Sequence, residues 1–270
     1  MANKKLVLDA GHYLETPGKR TPDGVREWTL NNKVCKYIGE YLKDYNVKIY
    51  RVDDTTGKKA TDLAERVKAT NKINPDIFVS IHHNAYNGKW NNVTGTEVYS
   101  HTYGSAEDKK IAKLLAPKIA KETGLRNRGA KVKALGVLTC KATIPAVLCE
   151  GGFMDSKIDN PVITSEDGQR AYAKAVADGI IEYLKLEKKQ PSAETKTENI
   201  ETKPAVDNAI AEKETNSAET PAEIPIESGQ ITEAPIESPL ESEKHTEEVE
   251  NILIKIINML LELVKKIFGK

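Results

Sequence analysis

Ile77-Phe78-Val79-Ser80-Ile81-His82-His83-Asn84 is the stretch on which the reading of this chain turns. Its composition predicts a strand over Ile77–His82. The two-residue period sets Ser80, His82 and Asn84 on one face, and Ile81 and His83 on the other. Upstream, the pattern predicts a strand at Lys5–Asp9, a helix at Glu27–Asp44, a strand at Val47–Val52 and a helix at Asp62–Ile73. The first helix carries Leu30, Val34, Ile38 and Tyr41 on a common face. Downstream come a strand at Gly95–Ser100, a helix at Ala106–Thr123, and short strands at Val137–Cys140 and Ala146–Glu150. A helix over Glu166–Leu186 closes the series, with Ala173, Val176, Ile180 and Tyr183 facing inward. Such alternation predicts an α/β domain over residues 1–186, its mostly parallel twisted sheet covered by helices.

In open α/β sheets, chemistry collects where loops leave the carboxyl ends of strands. Three segments bring chemistry to that edge. His12 follows Asp9-Ala10-Gly11, where glycine permits a tight turn after the first strand. His82 closes the strand quoted above, and its face makes it the choice over His83. Glu150 follows the apolar Pro145-Ala146-Val147-Leu148-Cys149 and precedes Gly151-Gly152-Phe153. A fourth residue, Glu27, stands at a helix start, from which a carboxylate can be aimed back at the sheet. Two imidazoles and one carboxylate can hold a zinc ion while leaving one position open for water, and a further carboxylate can accept that water's proton. His12, Glu27 and His82 are therefore the candidate ligands of one Zn2+, and Glu150 is the candidate catalytic base. Cys149 is a rival nucleophile. Alternation places Val147 and Cys149 opposite Leu148 and Glu150, so a Glu150 that faces the site turns Cys149 into packing.

These segments occur in a telling order. Leu8-Asp9-Ala10-Gly11-His12 is followed by Glu27-Trp28-Thr29-Leu30-Asn31, by Leu63-Ala64-Glu65-Arg66-Val67 and by Ser80-Ile81-His82-His83-Asn84-Ala85. Gly95-Thr96-Glu97-Val98-Tyr99 and Ile144-Pro145-Ala146-Val147-Leu148-Cys149-Glu150-Gly151-Gly152-Phe153-Met154 complete the set. In this, residues 1–186 resemble the zinc-dependent N-acetylmuramoyl-L-alanine amidases, the family that includes sporulation and phage lytic enzymes. The resemblance implies zinc on His12, Glu27 and His82, and catalysis by Glu150. It implies a peptidoglycan hydrolase that cuts the amide between the lactyl group of N-acetylmuramic acid and L-alanine of the stem peptide. The alternative is a zinc peptidase or carboxypeptidase acting on the stem. Tyr13 departs from the pattern, standing where the family more often has glycine.

The formal charge of the whole chain is zero, but it is unevenly spread. Residues 1–186 carry 30 Lys+Arg against 22 Asp+Glu, a net +8, and residues 187–270 carry 10 against 18, a net −8. The positive segment suits an ordinary solvated surface or attraction to an anionic wall or membrane. No basic stripe interleaved with aromatics appears, so nucleic acid is not an expected partner. The three cysteines lack a paired spacing, which argues against a disulfide framework and suits synthesis in a reducing compartment. The N-terminal apolar run is too short for a signal peptide, so the expectation is synthesis in the cytoplasm and action on the wall after release or lysis. Residues 187–248, rich in Glu, Thr, Ser, Pro and Ala, are expected to form a disordered acidic linker. Residues 249–270 follow two adjacent apolar seams at helical spacing, Leu253, Ile256, Leu260, Leu263, Ile267 and Ile254, Ile257, Leu261, Val264, Phe268. This amphipathic helix is expected to bury them in a homo-oligomer, at a membrane surface or against the catalytic domain.

Overall fold

The computed structural model describes residues 4–189. In chain order the elements are β1 (Lys4–Ala10), α1 (Glu27–Leu42), β2 (Val47–Arg51), α2 (Leu63–Ile73), β3 (Ile77–Asn84) and β4 (Thr96–His101). They continue with α3 (Ala106–Thr123), β5 (Asn127–Lys133), a 3-10 turn at Gly136–Leu138, β6 (Ala146–Phe153), α4 (Asn160–Thr164) and α5 (Glu166–Leu184). The expected linker and the expected amphipathic helix at 249–270 lie outside the described residues.

Six strands form one sheet in the order β2-β1-β3-β6-β4-β5. All pairings are parallel except β4 with β6, so β4 and β5 run opposite to the other four strands. The largely parallel α/β sheet expected from the sequence is present, with this antiparallel seam added. Alternation sorts the strands' side chains between two layers. Leu6, Leu8, Ile77, Val79, Ile81, Val98, Val147 and Cys149 pack against α1, α3 and α5. Val7, Phe78, Ala146 and Leu148 face the other way and meet Val137, Leu138 and Ile144. The second layer holds fewer buried residues, and alternation puts His82 and Glu150 on its side of the sheet.

Helix ends follow local rules. Asp62 and Glu65 form a reciprocal capping box at the start of α2, and Ser105 with Asp108 does the same for α3. Gly124 ends α3 in the left-handed region, at φ +71. The expectation at Val137–Cys140 is corrected: Val137 and Leu138 bury from a 3-10 turn and join no strand ladder. Two apolar neighbours can be buried by a folded-in connection as well as by a strand. Conversely, β5 was absent from the expected set. Its residues Asn127-Arg128-Gly129-Ala130-Lys131-Val132-Lys133 are half-buried or exposed, so no apolar alternation announced it. Beyond α5, the backbone of Glu187–Lys189 hydrogen-bonds Asp44 and Asn46 at the turn between α1 and β2.

Candidate metal centre

His12, Glu27 and His82 come together although they arise from a loop, a helix and a strand. One ligand atom from each lies within 4.8 Å of the others. The sequence therefore picked residues that the fold does unite.

His12 owes its place to a built turn. Gly11 N donates to Ile81 O at 3.0 Å, which keeps the chain against β3 after β1 has ended. His12 then adopts φ +68, a left-handed conformation uncommon outside glycine. The turn is held from below by Arg66 of α2. Its guanidinium donates to Ala10 O at 2.9 Å and to His12 O at 2.8 Å, and pairs with the buried Asp9 carboxylate. Asp9 also accepts from Ser80 Oγ at 2.6 Å.

Glu27 is the first residue of α1, where the helix dipole favours an anion. Its Oε1 lies 3.0 Å from His82 Nδ1 and accepts from His83 N at 3.2 Å, while Oε2 lies 3.3 Å from His12 Nε2. One turn along, Asn31 Nδ2 donates to Gly11 O at 3.1 Å, and Asn31 Oδ1 lies 2.8 Å from His83 Nδ1. The His12 and His82 rings meet edge to face, centroids 4.9 Å apart. His82 fits only because Gly11 has no Cβ, since one there would overlap the imidazole.

Charge at the centre follows from these contacts. Burial pushes His12 down to about 4, leaving a neutral imidazole with a lone pair to offer. Burial opposes ionisation of Glu27, but the His82 hydrogen bond and the two imidazoles overcome it and hold the carboxyl at about 2. Burial also opposes a charged His82, and the Glu27 contact outweighs it, raising the ring's pKa. Neutral imidazole and carboxylate are the forms that ligate a cation.

Glu150 stands directly across from His82 in the β3–β6 register. Its Oε2 is buried without a hydrogen-bond partner, and burial pushes the carboxyl up to about 8. Cys149 points to the opposite layer, where burial raises its thiol and its carbonyl accepts the Tyr172 hydroxyl at 2.8 Å. His83 also faces that layer, its ring edge-on to Tyr172. Both placements agree with the strand alternation. Sequence reasoning gave no role to Asp9, Arg66 or Asn31. For Asp9 the available signal was a charged residue within the apolar run of a strand.

A family model described as N-acetylmuramoyl-L-alanine amidase matches residues 6–182. The endolysin of Bacillus phage SPP1 is 30% identical over 205 residues, which take in 73% of this chain and 72% of that protein. An uncharacterized cell wall amidase of Bacillus anthracis is 41% identical over 135 residues, 47% of this chain but only 25% of that relative's length. Among solved structures, the catalytic domain of CwlV, an N-acetylmuramoyl-L-alanine amidase from Bacillus (Paenibacillus) polymyxa var. colistinus, aligns with TM-score 0.61 and 28% identity. That alignment covers 68% of this chain and 99% of the other. Because the family match runs from the first strand of the described fold into its last helix, the chain belongs to the N-acetylmuramoyl-L-alanine amidases, hydrolases of peptidoglycan.

Proposed function

We propose that this chain is a zinc-dependent amidase that cuts the bond between the lactyl carbonyl of N-acetylmuramic acid and the nitrogen of L-alanine. The observation that carries this reading is the convergence of His12, Glu27 and His82 next to Glu150, a half-buried residue whose Oε2 is buried without a hydrogen-bond partner. The donor set fits the ion: a neutral imidazole, a second imidazole and an ionised carboxylate lie within reach of one centre. Zinc held there would supply a Lewis acid for the amide carbonyl and would acidify a coordinated water.

The chain's own residues then account for the proton traffic. Glu150 accepts a proton as a water oxygen attacks the carbonyl carbon, and returns it to the alanine nitrogen as the carbon–nitrogen bond breaks. Asn31 and Arg66 fix the ligand backbone, so that the carboxylate and imidazoles need little rearrangement. For residues 249–270 we propose self-association, which would multiply weak wall contacts. Sedimentation of the chain with and without them tests this, and an unchanged mass would end the idea.

The decisive experiment is digestion of purified peptidoglycan by zinc-loaded protein, with mass spectrometry of the released products. New N-terminal L-alanine without new reducing sugar ends is the expected result. Trimmed stems on intact lactyl amides would replace this reading with a stem peptidase.

A further inference from the structure

Among the described residues β5 is an edge strand, and it carries three cations, Arg128, Lys131 and Lys133. Arg128 and Lys131 are three residues apart, so strict alternation would send them to opposite faces. The register prevents this. Thr96 pairs with Asn127 and Val98 with Ala130, so Arg128 and Gly129 together stand against Glu97 alone. Gly129 takes φ +84, a conformation that favours glycine, and the extra residue reverses the alternation beyond it. In consequence Arg128 Nε and Lys131 Nζ both reach the Glu97 carboxylate, the lysine at 2.8 Å.

Glu97 is 2% exposed at its side chain, while Arg128 and Lys131 are 27% and 36% exposed. Tyr99 also donates its hydroxyl to Glu97, and Lys133 lies 6.0 Å from the Tyr99 ring centre. A single buried carboxylate thus orients two cations and neutralises only one of them. The surplus positive charge faces solvent.

This patch lies in line with the candidate metal centre. His82 is in register with Glu150, and Glu150 with Glu97, so their side chains form a row on one face that ends at β5. Strands lie about 4.8 Å apart, which puts β5 about 10 Å from the strand that bears Glu150. An extended peptide covers that distance in about three residues. Resting on the amidase reading above, we propose that Arg128 and Lys131 form a subsite for a carboxylate of the stem peptide, two or three residues beyond the alanine nitrogen freed by cleavage. The bulge at Gly129 is the device that makes the subsite, since it turns two cations toward the same row.

The test is steady-state kinetics of the full, zinc-loaded chain on two synthetic muramoyl peptides. One has free carboxylates on the second and third stem residues; in the other these are amidated. The wild-type protein is expected to show a KM about tenfold lower for the free acid, the size of one partly exposed charge-assisted contact. Lys131→Ala should abolish most of that preference with kcat nearly unchanged, Lys131→Glu should reverse it, and neither should impair the amidated substrate. Arg128→Lys, which keeps the charge but loses the planar fork, should retain part of the preference. Equal KM values for the two substrates in the wild type would overturn the subsite. So would a Lys131→Ala variant that weakens both substrates alike, since that is the mark of a purely structural lysine. If the wild-type protein cuts neither substrate, the amidase reading itself falls, a result distinct from cutting both with equal KM.

Discussion

Gly11 lies under the His82 ring, and a methyl group there would occupy the place of the imidazole. Gly11→Ala is therefore expected to expel His82 and weaken metal binding at least tenfold while the sheet persists. Metal titration alongside circular dichroism would check this, and an unchanged affinity would refute it. Glu150 carries two linked predictions. Glu150→Ala should lower amide hydrolysis by about a thousandfold or more while metal stoichiometry is unchanged. Substantial residual turnover would remove Glu150 from the mechanism. The second concerns stability. Burial raises the folded pKa of Glu150 from 4.5 to about 8. An acid shifted this way favours the folded state fully below its unfolded pKa, and that contribution is lost as pH rises through the folded value. In metal-free protein, Glu150→Gln should match the wild type near pH 4 and exceed it in stability by about 1–3 kcal/mol above pH 8. Thermal unfolding at the two pH values measures the difference, and parallel curves would contradict it. That His12, Glu27 and His82 come together was legible in the sequence, because their motifs stand at strand ends and a helix start, where an α/β sheet gathers its loops. Arg66 was not legible, for nothing local reveals that an arginine on α2 reaches back to the carbonyls of Ala10 and His12.

At the scale of elements, α1 shows how one helix serves the site twice. It starts at Glu27 without a side-chain cap, and Asn31 one turn later ties Gly11, His83 and Glu27 to the same face. Asn31→Ala should leave the helix intact but lower metal affinity by about 10–100-fold, the usual loss when a ligand's supporting partner is removed. Isothermal titration with zinc gives the answer, and wild-type affinity would make Asn31 a packing residue only. Long amphipathic helices such as α1, α3 and α5 were legible because their apolar rows must face the sheet. β5 was hidden because its residues serve charge rather than core. The Val137–Leu138 pair misled for the converse reason, since burial of two neighbours says nothing about which backbone hydrogen bonds they make.

Across the whole molecule, the candidate ligands join β1's exit, α1 and β3, segments distant in sequence. A bound ion would therefore cross-link three elements, and its binding energy would add to folding. Chelation should lower the Tm by several degrees, and added zinc should restore it; identical unfolding with and without chelator would contradict a bound ion. Because Glu187–Lys189 hydrogen-bonds Asp44 and Asn46, a chain ending after Lys189 should keep the Tm and the hydrolysis of small substrates, which calorimetry and a product assay would verify. The bulge in β5 has a consequence of another kind. Among the described residues, no strand pairs with the outer side of β5, and such an edge invites a second sheet to add to it. An extra residue at Gly129 bends the ladder, while Lys131 and Lys133 place charge along it, and both discourage that addition. A sequence that lost these lysines and the bulge together would present a flatter border with Arg128 as its one remaining charge, and its cost would be felt as aggregation during synthesis before it was felt in catalysis.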